Sequence, residues 1–434
     1  MRYPSGKQLF LHLIVHKKYF DDSISSKEDA LINRSVRILR TSQALLGAWP
    51  AEALGQQASR VSLFLRKFLP MQNIWLFVGQ TCYLMEAFNE LSFFDLGHMY
   101  ITNFLTVLIF VSTYLFYFIW FVITKMKRSY YRKKVSCNFS LYLMTMGVLS
   151  ATLFNVAPLY KNYKMGVFNK DVPENITLEF SVYYKYPGLI PANHFYAFTI
   201  YNFMMSQEVA VALCAYDYFL SLLAFQIIGH VQILRNNLEN LPQPKGRVSN
   251  FRKTSVGVYS EEENTMIHEK LKDWVNHHKM IVSFTDDISS FYGPPIGFYY
   301  LFHSVSCCLL LLECFRGDAE ALAKYGPLTC IIIGQLIQIS VIFEVVNTVS
   351  VKLINAVYDI PWEVMNVSNQ RSVLLILKRV QRPIQVTAMG MVPVGVETMA
   401  RVRTITVLSF SDIIPKTNCV FRMKFLIARY GWLG

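Results

Sequence analysis

Charged side chains are scarce in this sequence of 434 residues. Asp, Glu, Lys and Arg make up 16% of the chain, whereas they make up about 25% of a typical soluble domain. The stretch from Tyr100 to Thr124 contains none of them, and as a helix of roughly 37 Å it would cross the hydrocarbon core of a bilayer. Because 53% of the residues are hydrophobic, the sequence predicts an all-α membrane protein.

The patterns that usually mark a reaction centre are also missing. Gly390 and Gly395 have the spacing of a phosphate-binding loop, but Val396 and Glu397 follow where Lys and Ser or Thr are required. No second His lies four residues after His268, as a zinc-binding helix would need. The eight cysteines lack the spacing of a metal site or a disulfide scaffold. The sequence therefore predicts a protein that is not an enzyme and carries no metal and no cofactor.

Apolar runs divide the chain into seven predicted transmembrane helices. The first six form a bundle over residues 71–350, and a weaker span follows near the C-terminus. The predicted spans are Met71 to Phe88, Tyr100 to Thr124, Cys137 to Tyr160, Ala197 to Ile228, Ile296 to Phe315, Gly326 to Ser350 and Ile384 to about Phe410.

Outside the bundle, the composition separates four segments. Residues 1–70 form a basic N-terminal segment, in which residues 32–46 have the spacing either of an amphipathic helix on the inner membrane surface or of an ordinary helix packed on the bundle. Residues 351–383 form a connection, residues 384–413 the last helix and residues 414–434 an atypical basic tail.

The distribution of Lys and Arg predicts the orientation of the chain. With the N-terminus in the cytoplasm, the three inner loops hold 16 of these residues and the three outer loops hold 6. Because cytoplasmic loops carry the positive excess, we expect a cytoplasmic N-terminus and an extracellular C-terminus, inverted relative to a G-protein-coupled receptor. The sequon at Asn175 falls in an outer loop and is a predicted glycosylation site. The net charge of +13 is interpreted as this topology signal, with no nucleic-acid partner.

Three acidic residues lie inside predicted spans, where an ionised group is costly. Glu208 and Asp217 belong to the fourth span, and Glu344 belongs to the sixth. Two interpretations are equally open for them: a structural hydrogen bond between helices, or a place beside a ligand or ion path. The polar stretch at 239–265 is expected to be a mobile loop, and His277 and His278 to lie on a solvated cytoplasmic segment.

Aromatic and methionine side chains crowd the outer halves of several spans, with one glutamine facing them. Such a lining suits a long apolar ligand with one polar group, since ligand pockets are mostly apolar with few hydrogen-bonding groups. The predicted ligand-binding residues are Tyr100, Phe104, Phe154, Tyr201, Met204, Met205 and Gln335.

Several blocks of this sequence resemble those of insect odorant receptors. The sequence AVYDIPWE at 356–363, followed by NQR at 369–371 and RVQRP at 379–383, is similar to the C-terminal signature of that family. The blocks FQIIGHVQIL at 225–234, HHKMI at 277–281, YGPLT at 325–329 and VGVETMA at 394–400 resemble its moth sex-pheromone receptor branch. The resemblance covers most of the chain up to Ala400.

The resemblance implies a ligand-gated, non-selective cation channel. In that family a tuned receptor subunit assembles with the shared olfactory co-receptor in the plasma membrane of olfactory sensory neuron dendrites, and it detects a small volatile ligand, here a long-chain fatty-alcohol derivative. The stretch after the sixth span then forms a cytoplasmic anchor where subunits meet, and the last helix lines the pore. Carried over to this sequence, the assembly residues are Tyr358, Trp362, Gln381 and Pro383, and the pore residues are Met391, Val394, Val396 and Thr398.

The sequence departs from the family pattern after Ala400. Arg401 and Arg403 follow where the family has a small, mostly apolar helix, and arginines in a cation pathway oppose permeation. Since Val402 and Arg403 can be encoded by the bases of a splice-donor site, one hypothesis is that the tail is translated intron. A dominant spliced antennal message containing this tail would reject it.

Three other functions compete with this interpretation. A gustatory-type receptor channel shares the architecture but not the moth-type blocks. A membrane transporter would use Glu208, Asp217 and Glu344 as an ion path and would show solute flux without channel currents. A G-protein-coupled receptor requires the opposite orientation.

Overall fold

The computed structural model describes residues 41, 60–87, 133–168, 178–189, 191–244, 258–315 and 319–401. The predicted span from Tyr100 to Thr124, almost all of the segment 32–46 and the tail beyond Arg401 lie outside the described residues.

Long helices dominate the described part of the chain. They are α1 (Arg60–Ala87), α2 (Lys133–Lys164), α3 (Phe195–Glu239), α4 (Glu261–Phe315), α5 (Ala319–Tyr358) and α6 (Val367–Val380). Short 3-10 turns precede α3 at Pro191–His194 and α6 at Trp362–Val364. A small antiparallel hairpin follows α6, formed by β1 (Thr387–Ala388) and β2 (Val392–Pro393).

Three of the described helical segments are long and apolar enough to cross a membrane: Phe195–Glu239, Glu261–Leu311 and Tyr325–Val364. The centre of α3 is buried on every side from Ala212 to Ala224, apart from Leu222, as expected of a helix that is apolar all round. Tyr292 and Tyr299 of α4 and Phe219 of α3 are among the largest fully buried side chains. The core therefore lies where α3, α4 and α5 meet.

The helix α4 begins much earlier than the apolar run predicted. It starts at Glu261, not near Ile296, so the mobile loop expected at 239–265 gives way to helix at its C-terminal end. Ser260 and Glu263 form a reciprocal cap: the Glu263 amide donates to Ser260 Oγ at 3.2 Å, and the Ser260 amide donates to Glu263 Oε2 at 2.9 Å. A search for membrane-length apolar runs overlooks such a helix because its first turns are polar.

The predicted last span is wrong at its start. Residues 384–395 are not helical, and a helix begins only at Val396 and continues to Arg401, where the described residues end. Met389 and Gly390 form the hairpin turn with φ of 52° and 69°, a left-handed conformation that a helix does not contain. Pro393 also lacks the N–H that a helix interior would need.

An asparagine cluster joins the start of α4 to the start of α6. The Asn366 amide donates to Asn264 Oδ1 at 3.0 Å, and Asn369 Nδ2 donates to the Asn264 carbonyl at 2.8 Å. Asn369 Oδ1 lies 3.2 Å from His268 Nδ1. The short helix α6 is thus held by hydrogen bonds as well as by its apolar contacts with α4 and α5.

We expect Asn264→Ala to lower the stability of the receptor by about 1–3 kcal/mol, because the Asn366 N–H loses its acceptor in a partly buried position. The check is the thermal unfolding midpoint of the detergent-solubilised protein. Asn240→Ala is the matched control, since Asn240 is exposed and, among the residues that the structure describes, its side chain bonds only to Asn236. Equal midpoints for the two variants would contradict the prediction.

Candidate functional site

A cavity of about 130 Å³ lies among α1, α2, α3 and α5, and the loop 178–189 forms part of its wall. The wall is mostly apolar. It is lined by Leu76, Gln80, Gly147, Ser150, Ala151, Phe154, Val182, Tyr184, Asn202, Met205, Ser206, Val209, Ala210, Leu213, Cys214, Leu310, Tyr325, Leu328, Ile331, Ile332 and Gln335.

The residues that line the cavity extend along two helices. Its lining residues on α3 extend from Asn202 to Cys214, a distance of about 18 Å at the helical rise per residue. On α5 they extend from Tyr325 to Gln335, about 15 Å. The wall of the cavity is therefore formed by several turns of both helices.

Four buried polar side chains belong to this wall. Gln80, Ser150, Asn202 and Gln335 are each no more than 2% exposed. The atoms Gln80 Oε1, Ser150 Oγ, Asn202 Oδ1 and Gln335 Oε1 have no hydrogen-bond partner among the described residues. A buried polar atom without a partner costs free energy, so these oxygens are positions where a ligand or water is favoured.

The loop 178–189 is fastened to α1. The Lys185 amide donates to the Gly79 carbonyl at 3.0 Å. The Tyr186 ring stacks on Trp75 with 4.4 Å between ring centroids, and its hydroxyl donates to the Trp75 carbonyl at 3.1 Å. The loop therefore closes one side of the cavity.

Val182 and Tyr184 of this loop line the cavity. Asn202 Nδ2 on α3 donates to the Val182 carbonyl at 3.2 Å, which ties the loop to a second helix. Burial raises the pKa of Tyr184 well above its ordinary value, and the neighbouring Tyr201 and Tyr186 raise it further. The Tyr184 hydroxyl is therefore protonated at neutral pH.

The structure brings three of the predicted ligand-binding residues together on the cavity wall: Phe154, Met205 and Gln335. Tyr201 does not line the cavity but packs edge-on against Tyr184, and Met204 is 57% exposed on the outside of α3. Tyr100 and Phe104, and the predicted glycosylation site Asn175, lie outside the described residues.

The pattern of aromatic and methionine side chains did not indicate most of the polar residues of the wall. Gln80, Ser150 and Asn202 were not predicted, although Gln80 and Asn202 stand inside apolar runs, where a polar side chain is itself a sign of function. The loop residues Val182 and Tyr184 carried no such signal, because their place depends on how the loop folds back over α1 and α3.

The acidic residues of the fourth span each meet a neighbouring helix. Gln72 Nε2 donates to Glu208 Oε2 at 3.2 Å, and Asn73 Nδ2 lies 3.4 Å from Glu208 Oε1. The Tyr299 hydroxyl donates to Asp217 Oδ1 at 2.5 Å. These contacts join α3 to α1 and to α4, which favours the structural interpretation of both acids.

Glu344 meets the beginning of the last helix. The Val396 amide donates to Glu344 Oε2 at 3.3 Å, and Asn347 Nδ2 donates to Glu344 Oε1 at 3.3 Å. A Cβ at Gly395 would lie 2.6 Å from Glu344 Oε2. The carboxylate can approach this helix end because residue 395 has no side chain.

The predicted pore residues do not share one helix. Met391 and Val394 belong to the hairpin region before it, with Met391 78% exposed and Val394 buried. Val396 and Thr398 lie in the first turn of the helix that starts at Val396. The predicted pore-lining helix therefore keeps only the last two of them.

The predicted assembly residues lie at the surface around α6. Tyr358 is 65% exposed and Trp362 is 39% exposed, and Gln381 and Pro383 are exposed beyond the end of α6. The apolar side chains of α6 itself were not predicted to be exposed, yet Leu374 is 66% exposed. Together they give the region an apolar outer surface.

His277 and His278 face the helix bundle and not solvent, which corrects their predicted position, although Lys272, Asp273 and Lys279 of the same segment are exposed. His278 is buried, and His277 Nε2 lies 3.2 Å from His230 Nδ1 of α3. No cluster of three or more potential metal ligands occurs among the described residues. The contact between His230 and His277 therefore joins α3 to α4.

Comparison with known proteins agrees with this architecture. The pattern of the family described as "7tm Odorant receptor" matches residues 124–406. The chain is 22% identical to Odorant receptor 22c of Drosophila melanogaster over 262 residues, which are 56% of this chain and 58% of that protein. The chain thus covers less than two thirds of the length of that relative.

Two solved structures are similar in fold. The insect olfactory receptor OR5 from Machilis hrabei has a TM-score of 0.64 and 14% identity, covering 94% of this chain and 100% of that one. The same receptor in complex with eugenol has a TM-score of 0.65 and 15% identity, covering 89% and 97%. The described helices therefore form the all-helical fold of an insect olfactory receptor. Because the family pattern matches more than half of the residues of this chain, the chain belongs to the odorant receptor family, whose members are receptors and not enzymes.

Proposed function

We propose that this chain is the odorant-binding subunit of a ligand-gated, non-selective cation channel formed with the olfactory co-receptor. The observation that carries the proposal is the mostly apolar cavity at the centre of a chain of the odorant receptor family. Its place is the plasma membrane of an olfactory sensory neuron dendrite, with the N-terminus in the cytoplasm. The charge distribution of the loops supports that orientation.

The ligand is a volatile, long-chain fatty-alcohol derivative of the kind used as a sex pheromone. The similarity of the blocks at 225–234, 277–281 and 394–400 to moth pheromone receptors supports this class. The cavity of about 130 Å³ is slightly smaller than an engineered cavity of about 150 Å³ that holds benzene. A long-chain ligand is larger than benzene, so the walls must move apart to admit it, which gives the ligand a way to shift the population of open channels.

The remaining roles follow the family resemblance. Tyr358, Trp362, Gln381 and Pro383 contribute to the contact between subunits, and their exposure supports this role. Val396 and Thr398, both on the helix that begins at Val396, line the pore. Met391 is exposed just before this helix, whereas Val394 is buried and does not line the pore.

The proposal is tested by whole-cell current in cells that express the chain with and without the co-receptor. Long-chain acetates, aldehydes and alcohols are presented to each. We expect a current that requires both co-receptor and ligand. We expect Phe154→Ala to raise the half-maximal ligand concentration about tenfold, because it removes an aromatic wall of the cavity.

Leu153→Ala is the matched control. Leu153 is the neighbour of Phe154 on α2, is 41% exposed and does not line the cavity, so its truncation should leave the dose response unchanged. The same currents are recorded from a second chain in which a family-like helix replaces the residues after Ala400. The comparison of the two chains shows whether a missing current is caused by the tail or by the binding site. Silence of both chains with every ligand would reject the proposed function.

A further inference from the structure

The unpartnered polar atoms of the cavity are mostly acceptors. Amide oxygens accept hydrogen bonds and cannot donate them, and three of the four unpartnered atoms are the amide oxygens of Gln80, Asn202 and Gln335. The fourth, Ser150 Oγ, can donate or accept. Among the amide nitrogens of the lining, Asn202 Nδ2 donates to the Val182 carbonyl and Gln335 Nε2 approaches Cys214 Sγ.

The orientation of the Asn202 amide is set by its surroundings. Its Nδ2 donates to the Val182 carbonyl at 3.2 Å, and a carbonyl can only accept. The oxygen therefore occupies the other side of the amide group and remains without a partner among the described residues. Gln335 Nε2 approaches Cys214 Sγ at 3.6 Å, but a thiol can donate as well as accept, so this contact does not set the orientation of the Gln335 amide.

Gln80 and Asn202 lie at the same end of the cavity. The residue before Gln80, Gly79, accepts the hydrogen bond of the Lys185 amide, and Asn202 holds the Val182 carbonyl. Val182 and Lys185 are three residues apart in the loop 178–189, a span of at most about 11 Å. Gln80 of α1 and Asn202 of α3 thus lie beside one short stretch of loop.

Resting on the proposed function, we propose that the receptor is tuned to a ligand whose polar group is a hydroxyl, seated at the loop end of the cavity near Gln80 and Asn202. A hydroxyl donates a hydrogen bond to an amide oxygen. The oxygens of an acetate or an aldehyde only accept, so they leave these acceptors unpaired and add another acceptor beside them. A site that presents acceptors to a hydroxyl discriminates strongly against an analogue that lacks it.

The test compares four compounds that share one straight alkyl chain: the primary alcohol, its methyl ether, its aldehyde and its acetate. Whole-cell current is recorded from the receptor expressed with the co-receptor. We expect the alcohol to act at a half-maximal concentration at least about tenfold lower than the ether. An aldehyde or acetate as potent as the alcohol would overturn the inference while leaving the proposed function intact, whereas silence with all four would overturn both.

The variant Gln80→Met locates the hydroxyl. It keeps the length of the side chain and removes the acceptor, so we expect the alcohol-to-ether ratio to fall toward one while the ether response is retained. The retained ether response shows that the variant folds. Asn202→Leu tests the second acceptor in the same way.

The matched control is Gln207→Met. Gln207 Oε1 is also buried and without a partner among the described residues, but Gln207 does not line the cavity. Its replacement should leave the alcohol-to-ether ratio unchanged. A ratio that falls equally in Gln80→Met and Gln207→Met would overturn the assignment of the hydroxyl to the Gln80 end.

Discussion

Gly293→Ala is expected to reduce the ligand-evoked current severely and to destabilise the receptor by about 1–3 kcal/mol or more. A Cβ at this position of α4 would lie 2.7 Å from the Thr387 carbonyl oxygen and 3.2 Å from the Met389 amide nitrogen. Both atoms are backbone, and the hairpin is held in place because the Thr387 amide donates to Ser289 Oγ at 3.1 Å. The added methyl group therefore displaces the hairpin that leads into the last helix.

Gly297→Ala is the control for this prediction. It adds the same methyl group one turn further along α4, where the Cβ would lie 2.8 Å from Met389 Cε and Cγ. A methionine side chain has three rotatable bonds and moves at low cost, so we expect a smaller effect. Surface labelling, the thermal unfolding midpoint and the maximal current are measured for both variants. A current that is as large for Gly293→Ala as for Gly297→Ala would contradict the prediction.

The apolar runs predicted most of the fold that the structure describes. The spans drawn over Cys137 to Tyr160, Ala197 to Ile228 and Gly326 to Ser350 all lie within helices, because an apolar segment without water must satisfy its backbone N–H and C=O groups internally. The apolar runs did not predict helices that are polar or amphipathic, such as the first half of α4. Such a segment is stabilised by its cap at Ser260 and by contacts with α3 and α6.

The last span shows a second limit of hydrophobicity alone. Residues 384–395 are apolar enough to suggest a membrane helix, yet Met389, Gly390 and Pro393 place a hairpin there. The glycine and the proline in this stretch indicated an interruption, since each disfavours a regular helix. That the hairpin packs against Gly293 and Gly297 depends on tertiary structure and could not be predicted.

The candidate site was predictable in region but not in composition. Phe154, Met205 and Gln335 lie on the wall of one cavity, and their role in ligand binding stays a prediction. The contributions of Gln80, Asn202 and Tyr184 depend on the loop 178–189, which joins the wall through hydrogen bonds to Gly79 and Asn202. A pattern based on helices alone contains no information about that loop.

The cap on the last helix explains why Glu344 is tolerated inside an apolar helix. A helix start has amide groups without partners and a partial positive charge, so a carboxylate is stabilising there. Glu344 accepts from the Val396 amide at 3.3 Å, and a side chain at Gly395 would meet its Oε2 at 2.6 Å. Asn347 supports the carboxylate and is itself bonded to Gln385 Nε2 at 2.8 Å. The contact connects α5, which lines the cavity, to the helix proposed to line the pore.

We therefore expect Glu344→Ala to loosen the start of the last helix by about 1 kcal/mol, which corresponds to roughly a fivefold change in a local equilibrium. The check is hydrogen exchange of residues 396–401 in the reconstituted receptor, which should become about fivefold faster, together with a lower maximal current. Glu344→Gln keeps a hydrogen-bond acceptor, so its hydrogen exchange and its maximal current should change less than those of Glu344→Ala. Thr348→Ala, one turn further along α5, removes only an exposed hydroxyl bonded to the Glu344 carbonyl and should match the unaltered chain. Unchanged exchange in Glu344→Ala would show that the carboxylate does not stabilise the start of this helix. Faster exchange with an unchanged maximal current would show that the carboxylate stabilises the helix but does not affect channel opening.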